Sequence, residues 1–206
     1  MNIEKLTKNT GGIAHMLGGL FVGIAYTLHP HHQTPEIISG QFWLIIHILF
    51  ALSLIFGIFG LIGLYQLHLK NSRLSGFIGF LLAVTSLIGI FGLNYFEAFI
   101  NPVLAIEAPG FVDKYGAGTM IGLVKILFPV SGAMFLFGYI LLCIDMLRAK
   151  TLNYPAIALT IIGTLVFGLG LSGLFPMIVV KTGSVLFGSG LIGLGIAVIR
   201  KPDRVE

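Results

Sequence analysis

The side chains able to do chemistry are concentrated in one stretch. Residues 27–36 read Thr27-Leu28-His29-Pro30-His31-His32-Gln33-Thr34-Pro35-Glu36, and His47 follows Phe42-Trp43, so four of the six histidines fall within nineteen consecutive residues. Imidazole nitrogens beside the Glu36 carboxylate suit zinc, copper or nickel. Pro30 and Pro35 lack a backbone donor and restrict the residues before them, which predicts an extended linker presenting the imidazoles in a defined direction. The spacing matches neither a zinc finger nor a metalloprotease helix. A solvated histidine-rich loop with incidental metal affinity is the competing reading.

A second group follows downstream. Asn94, Glu97 and Asn101 are spaced i, i+3, i+7 and share one helical face. Glu97 reads as the only carboxylate well inside an apolar run, and an ionisable residue at such depth is a functional candidate by default. Lys125 enters its own run at about the depth of Asn94, and Pro129 four residues later removes the donor for its carbonyl, which predicts a kink there. Lys125 and Glu97 are expected either to neutralise one another as an ion pair, or to act together, with Lys125 attracting an anionic ligand or tuning the proton affinity of Glu97.

These residues need a scaffold, and composition decides its class. The chain of 206 residues is 56% hydrophobic and 10% charged, with 28 glycines, and its mean hydropathy is +1.01. A water-soluble domain of this size cannot hide so much apolar surface. Long apolar runs without strand alternation indicate an all-α integral membrane protein rather than a barrel. We expect a single six-transmembrane-helix bundle with helices at about 12–28, 42–67, 74–100, 120–147, 155–175 and 182–199. Residues 2–10 are expected to be a short polar lead without a fold of its own. Residues 102–113 are expected to form an outer loop over the bundle. The first run ends in His29-Pro30 and not in a small-residue cleavage site, so it does not read as a cleavable signal.

Nine of the twelve Lys and Arg residues (Lys5, Lys8, Lys70, Arg73, Arg148, Lys150, Arg200, Lys201 and Arg204) fall on the side of the N-terminus. The positive-inside rule then places both termini in the cytoplasm. His29, His31, His32, Glu36, Glu97 and Asn101 accordingly face or approach the outer side. The net charge of +4 reflects this bias and gives no reason to invoke nucleic acid.

Small residues mark the helix contacts, and also faces through which copies of the chain could associate. His15, Gly19 and Gly23 form a stripe on the first helix, Gly57, Gly60 and Gly63 recur on the second, and Thr164-Gly168-Ser172 and Ser189-Gly193-Ala197 repeat at four-residue spacing. The glycines inside apolar helices read as packing surface and not as a phosphate loop. His15 is expected to bond a carbonyl or water, Lys181 to snorkel to the outer interface, and Asn153 to cap a helix with Pro155 in its first turn. Cys143, the only cysteine, precludes an internal disulfide and reads as packing.

The series His29-Pro30, Trp43, His47, then Asn94-Tyr95-Phe96-Glu97 and Asn101-Pro102, resembles small uncharacterised bacterial polytopic membrane proteins. The resemblance covers about the first half of the chain. It implies a bacterial inner membrane and supplies no activity.

Three functions fit these residues. In the first, His29, His47 and Glu97 converge to bind zinc, iron or a small polar ligand, with Asn94, Asn101 and Lys125 beside them and His31, His32 and Glu36 as weaker metal ligands. Open coordination positions would serve metal-assisted hydrolysis or redox chemistry. In the second, a b-type haem is held by His29 with His47, and another by His15 with His68, although His68 is expected to lie beyond the hydrocarbon. In the third, glycine-rich helices move around a Glu97–Lys125 gate in a transporter or accessory subunit. Architecture alone does not separate them.

Overall fold

The computed structural model describes residues 3–115, 121–152, 154–172 and 174–201. Among these residues the chain is predominantly helical, with no strand. The helices are α1 (Ile3–Leu28), α2 (Pro35–Ile38), α3 (Gln41–His68), α4 (Leu74–Tyr95), α5 (Asn101–Glu107), α6 (Pro109–Tyr115), α7 (Val124–Arg148), α8 (Tyr154–Leu171) and α9 (Met177–Arg200). A 3₁₀ turn, Leu69–Asn71, follows α3, and a π-helical turn, Phe96–Ile100, joins α4 to α5. Six helical segments are long and apolar enough to cross a membrane: Lys5–Leu28, Gln41–Asn71, Leu74–Glu107, Val124–Arg148, Tyr154–Leu171 and Met177–Arg200.

The helix limits differ from those that hydropathy suggests. Residues 3–10 continue α1, with Thr7 Oγ1 donating to the Ile3 carbonyl at 2.9 Å, and so are not an unfolded lead. Hydropathy reports the depth of a segment, and a few polar residues do not end a helix. The fifth helix stops at Leu171, short of 175, and the sixth starts at Met177, ahead of 182. The 102–113 stretch is not a loop but belongs to α5 and α6, and the expected linker is free of helix over 29–34, with Thr34 extended, until Pro35 opens the short α2. Asn2, Met120, the Asn153 cap and Arg204 lie outside the described residues.

The long helices form a closed ring in chain order. α1 packs extensively on α3 and α9, α8 on α9, and α4 on α7, while the α3–α4 and α7–α8 seams are less extensive. Lipid tails are as apolar as leucine, so close backbone approach drives these contacts. Gly11 on α1 meets the backbone of Gly63 on α3, and Gly163 on α8 meets the backbone of Phe187 on α9, each with no room for a Cβ. The glycines expected to form packing surfaces thus include residues used within the chain: Gly60 and Gly63 face His15 and Gly11, Gly57 faces Leu87 of α4 and leaves room for Gly18, and Gly19 faces Gly188. Aromatic rings fill the middle of the ring, with Phe187 edge-on to Phe135 at 5.1 Å and to Tyr139 at 5.0 Å. Tyr26 lies edge-on to Phe167 at 4.8 Å. Cys143 is buried in this core. A smaller cluster, Ile38, Trp43, Ala105 and Val112, closes the end opposite the termini, where α2, α5 and α6 cover the start of α3. The two termini share the other end, since Lys8 Nζ donates to the Lys201 carbonyl at 2.9 Å.

Candidate functional site

The end opposite the termini gathers most of the residues singled out by sequence. Pro30 cannot continue α1, so the helix closes after Leu28, with the His29 N–H returning to the Tyr26 carbonyl at 3.3 Å. The His29 Nδ1 donates to the Pro30 carbonyl at 2.9 Å. One helix away, the His47 Nδ1 donates to the Trp43 carbonyl one turn earlier, at 2.8 Å. Carbonyls only accept, so each Nδ1 carries the hydrogen and each neutral ring has its lone pair on Nε2. The two rings meet edge-on, 5.6 Å between centroids, and Trp43 stands 5.4 Å from His29 and 4.3 Å from His47. Trp43 is 1% exposed and therefore a wall of the site rather than an interface anchor.

The carboxylate half comes from the π turn. Pro102 has no N–H and its ring would collide with the carbonyl four residues back. The helix widens instead of ending, and the Asn101 N–H bonds the Phe96 carbonyl five residues earlier. In that register the donor for the Glu97 carbonyl would be Pro102, which has none. The Trp43 indole supplies the bond across the bundle, Nε1 to the Glu97 carbonyl at 2.7 Å. Asn94 Nδ2 donates to the His47 carbonyl at 3.0 Å, and Asn101 Nδ2 donates to Glu97 Oε2 at 2.6 Å. His29, His47, Asn94, Glu97 and Asn101 are thereby linked through Trp43 into one cluster. π turns of this kind recur at functional sites.

Other expected members stay out. His31, His32 and Glu36 are exposed, and a bond from the Thr34 hydroxyl keeps Glu36 below the usual carboxylate range. Lys125 stands exposed in the first turn of α7 and makes no ion pair with Glu97. The cation near the site is Lys181, whose Nζ caps α1 on the Thr27 carbonyl at 2.9 Å, where the negative end of the helix dipole favours it. Burial holds His29 below its ordinary titration range, only partly offset by the Pro30 carbonyl, and the charges of Lys181 and His31 push the same way.

The donor set fits a transition metal in part. Nδ1–H anchored on a backbone carbonyl with Nε2 free is the arrangement that orients metal-ligating histidines. Among the described residues, however, no three His, Cys, Asp or Glu side chains stand together closely enough to hold one ion. His29 and His47 would be the protein's two nitrogen ligands, and Glu97 would act from farther off. A haem between the same rings would have to part them where Trp43 already packs.

A second polar cluster, at the end bearing the termini, was not anticipated. Asp145 is 1% exposed and accepts from His68 Nε2 at 2.8 Å, from the Arg73 N–H at 3.0 Å and from Ser75 Oγ at 3.0 Å. His68 Nδ1 bonds Thr151 Oγ1 at 2.7 Å. Arg73 precedes α4, so the carboxylate of Asp145 sits at the positive end of that helix. Glu97 is therefore not the only acid within the helices. His68 lies buried and not beyond the bundle, and both its nitrogens are engaged. His15 packs against Gly60, its ring beside the backbone of Gly60 and Gly11. Gly60 precedes His68 by eight residues, about 12 Å of helix, so His15 and His68 do not share a depth as haem ligands would. One signal was present in the sequence: Asp145 and His68 are polar residues of opposite charge preference at the same end of two apolar runs.

No family model, curated protein or solved structure matches the chain, and the functional reading rests on this geometry.

Proposed function

We propose that this is an integral membrane protein of a bacterial inner membrane, with cytoplasmic termini, that binds a transition-metal ion of the zinc or iron class near the outer leaflet. His29 and His47 are the nitrogen ligands, and Glu97, held by Asn101, is the nearby carboxylate. The observation that carries the reading is that both Nδ1–H groups are bonded to backbone carbonyls, at 2.9 and 2.8 Å, so that both Nε2 lone pairs remain available. The cationic bias toward the termini supports the orientation. Water would complete the coordination shell, which is the setting for Lewis-acid hydrolysis or redox chemistry. The aromatic filling of the ring favours a binding site at one end over a path through the middle.

The test is elemental analysis with an absorption spectrum on detergent-purified protein lacking a histidine tag. The expected result is about one zinc or iron per chain, lost in His47→Ala while the fold persists, because Asn94 bonds the His47 backbone and not its ring. Metal content unchanged by His47→Ala would refute the site. A Soret band would assign the histidines to haem b instead, and protein without either would leave Glu97 and Asn101 as a small-ligand or transport pair.

A further inference from the structure

A groove of about 610 Å³ opens between α8 and α9 at the end bearing the termini. Its inner lining is apolar and includes Leu159, Ile196 and Ala197, and its rim carries Lys150, Arg200 and Lys201. The apolar residues lie inside the spans Tyr154–Leu171 and Met177–Arg200, while Lys150 follows the end of Val124–Arg148 and Arg200 ends its own span. Cations thus ring the groove at headgroup level while its floor lies at acyl-chain level. From Arg200 back to Gly193, which also lines the groove, α9 descends roughly 10 Å at 1.5 Å per residue, enough for the first methylenes of an acyl chain. There the helices approach closely, since a Cβ on Gly193 would lie 3.2 Å from the Ala156 Cβ.

The rim is built from backbone as well as charge. α7 ends with the Thr151 N–H on the Met146 carbonyl at 3.1 Å and the Lys150 N–H on the Leu147 carbonyl at 3.2 Å. This closure favours glycine at its left-handed position, yet the residue there is Lys150, with φ 50°. Lys201 Nζ donates to the Thr151 carbonyl at 2.6 Å and ties the end of α9 to the same turn. Lys150 and Arg200 are exposed and form no ion pair among the described residues.

We infer that this groove binds an anionic phospholipid, its phosphate held by Lys150 and Arg200 and one acyl chain laid along Leu159, Ile196 and Ala197. Charge complementarity selects the occupant: two exposed cations above an apolar channel match a phosphate diester bearing a hydrocarbon tail, and basic pockets between helices are a known mode of headgroup recognition. The inference stands apart from the metal site, which lies at the other end.

The test is native mass spectrometry of the full chain released from detergent with phosphatidylglycerol, phosphatidylcholine or inorganic phosphate added. The expected result is one retained phosphatidylglycerol, preferred about tenfold over phosphatidylcholine. The double variant Lys150→Gly/Arg200→Gln should lose that preference, and Lys150→Gly suits the left-handed backbone, so loss through misfolding is not the expectation; the thermal midpoint checks this. Ala197→Phe, which fills the channel without altering charge, should also lose the lipid. Equal retention of the two lipids, or a preference that survives in the double variant, would overturn the inference. Displacement of the lipid by inorganic phosphate, with Ala197→Phe inert, would also overturn it and assign the rim to a soluble anion.

Discussion

Asp145→Ala is expected to be among the most damaging single truncations in the bundle. The carboxylate accepts three hydrogen bonds, from His68, the Arg73 backbone and Ser75, at 2.8, 3.0 and 3.0 Å. Alanine removes both acceptor oxygens, and with them all three bonds, and strands a His68 ring that is 0% exposed. Removing one member of a buried, hydrogen-bonded pair costs roughly 3–5 kcal/mol, and each stranded donor alone about 1–3 kcal/mol. The cluster lies at the end of the bundle beside polar Ser72 and Arg73, where water can reach part of the vacated space, so the lower limit of about 3 kcal/mol applies. For a chain of this size 1 kcal/mol shifts the midpoint by about 2–4 °C, giving a fall of roughly 6–12 °C.

The assay is thermal unfolding in mild detergent followed by the fluorescence of Trp43, the only tryptophan. Asp145→Asn, which keeps the shape and one carbonyl acceptor, should fall between wild type and Asp145→Ala. His68→Ala combined with Asp145→Ala should be non-additive by at least about 1 kcal/mol, because the two share one bond. A midpoint for Asp145→Ala within about 2 °C of wild type would refute the reasoning, and additive losses would refute the pairing.

Two further outcomes follow from the opposite end. Metal ligation needs a neutral imidazole, and His29 titrates below its ordinary value of 6.5; bound metal should therefore survive stepwise dialysis through pH 6.5 and be released only on further acidification. The sign is the same for stability: the contribution of the neutral ring is present above the unfolded value and is lost as pH falls through the lower folded one. Half-release above pH 6.5 would contradict this. Lys125→Ala should leave stability within about 0.5 kcal/mol and metal content unchanged, since the side chain is exposed and unpaired with Glu97; a fall of several degrees in the midpoint would show a partner that the geometry lacks.

Hydropathy made the six spans legible because the length of an apolar run measures membrane depth directly. It could not place the helix ends. Lys5 and Lys8 interrupt the apolar run without ending α1, and Pro102 looks like a stop until a widened turn absorbs it. The histidine stretch lies at the end where His29 meets Trp43 and His47, and on the segment carrying Asn94, Glu97 and Asn101 the Asn101 amide bonds the Glu97 carboxylate. The Lys125–Glu97 pair expected from sequence does not form, because sequence does not give azimuth: Lys125 stands exposed at the start of α7, while Asn101, on the same segment as Glu97, bonds its carboxylate. Asp145 was hidden by its neighbours. Next to Arg148 and Lys150 it reads as one more interfacial charge, and His68 lies 77 residues away in the chain.

The two polar clusters share a location that explains why both exist. Where helices pack tightly, as at Gly11 against Gly63 or Gly163 against Phe187, backbone proximity supplies the cohesion that hydrocarbon cannot. The α3–α4 seam lacks that close fit. At one end of it Trp43 and Asn94 cross between α3 and the segment carrying Glu97; at the other, Asp145 of α7 gathers His68 from α3 and Ser75 from α4. Directional bonds thus hold the seam at both ends where steric packing does not hold it along its length. The bond from Trp43 is available because Pro102 denied the Glu97 carbonyl its own helical donor, so one proline both widens the helix and couples the carboxylate to the histidine-bearing helix. A ligand that draws His47 and Glu97 closer would act on this seam, one of the two less extensive seams of the ring.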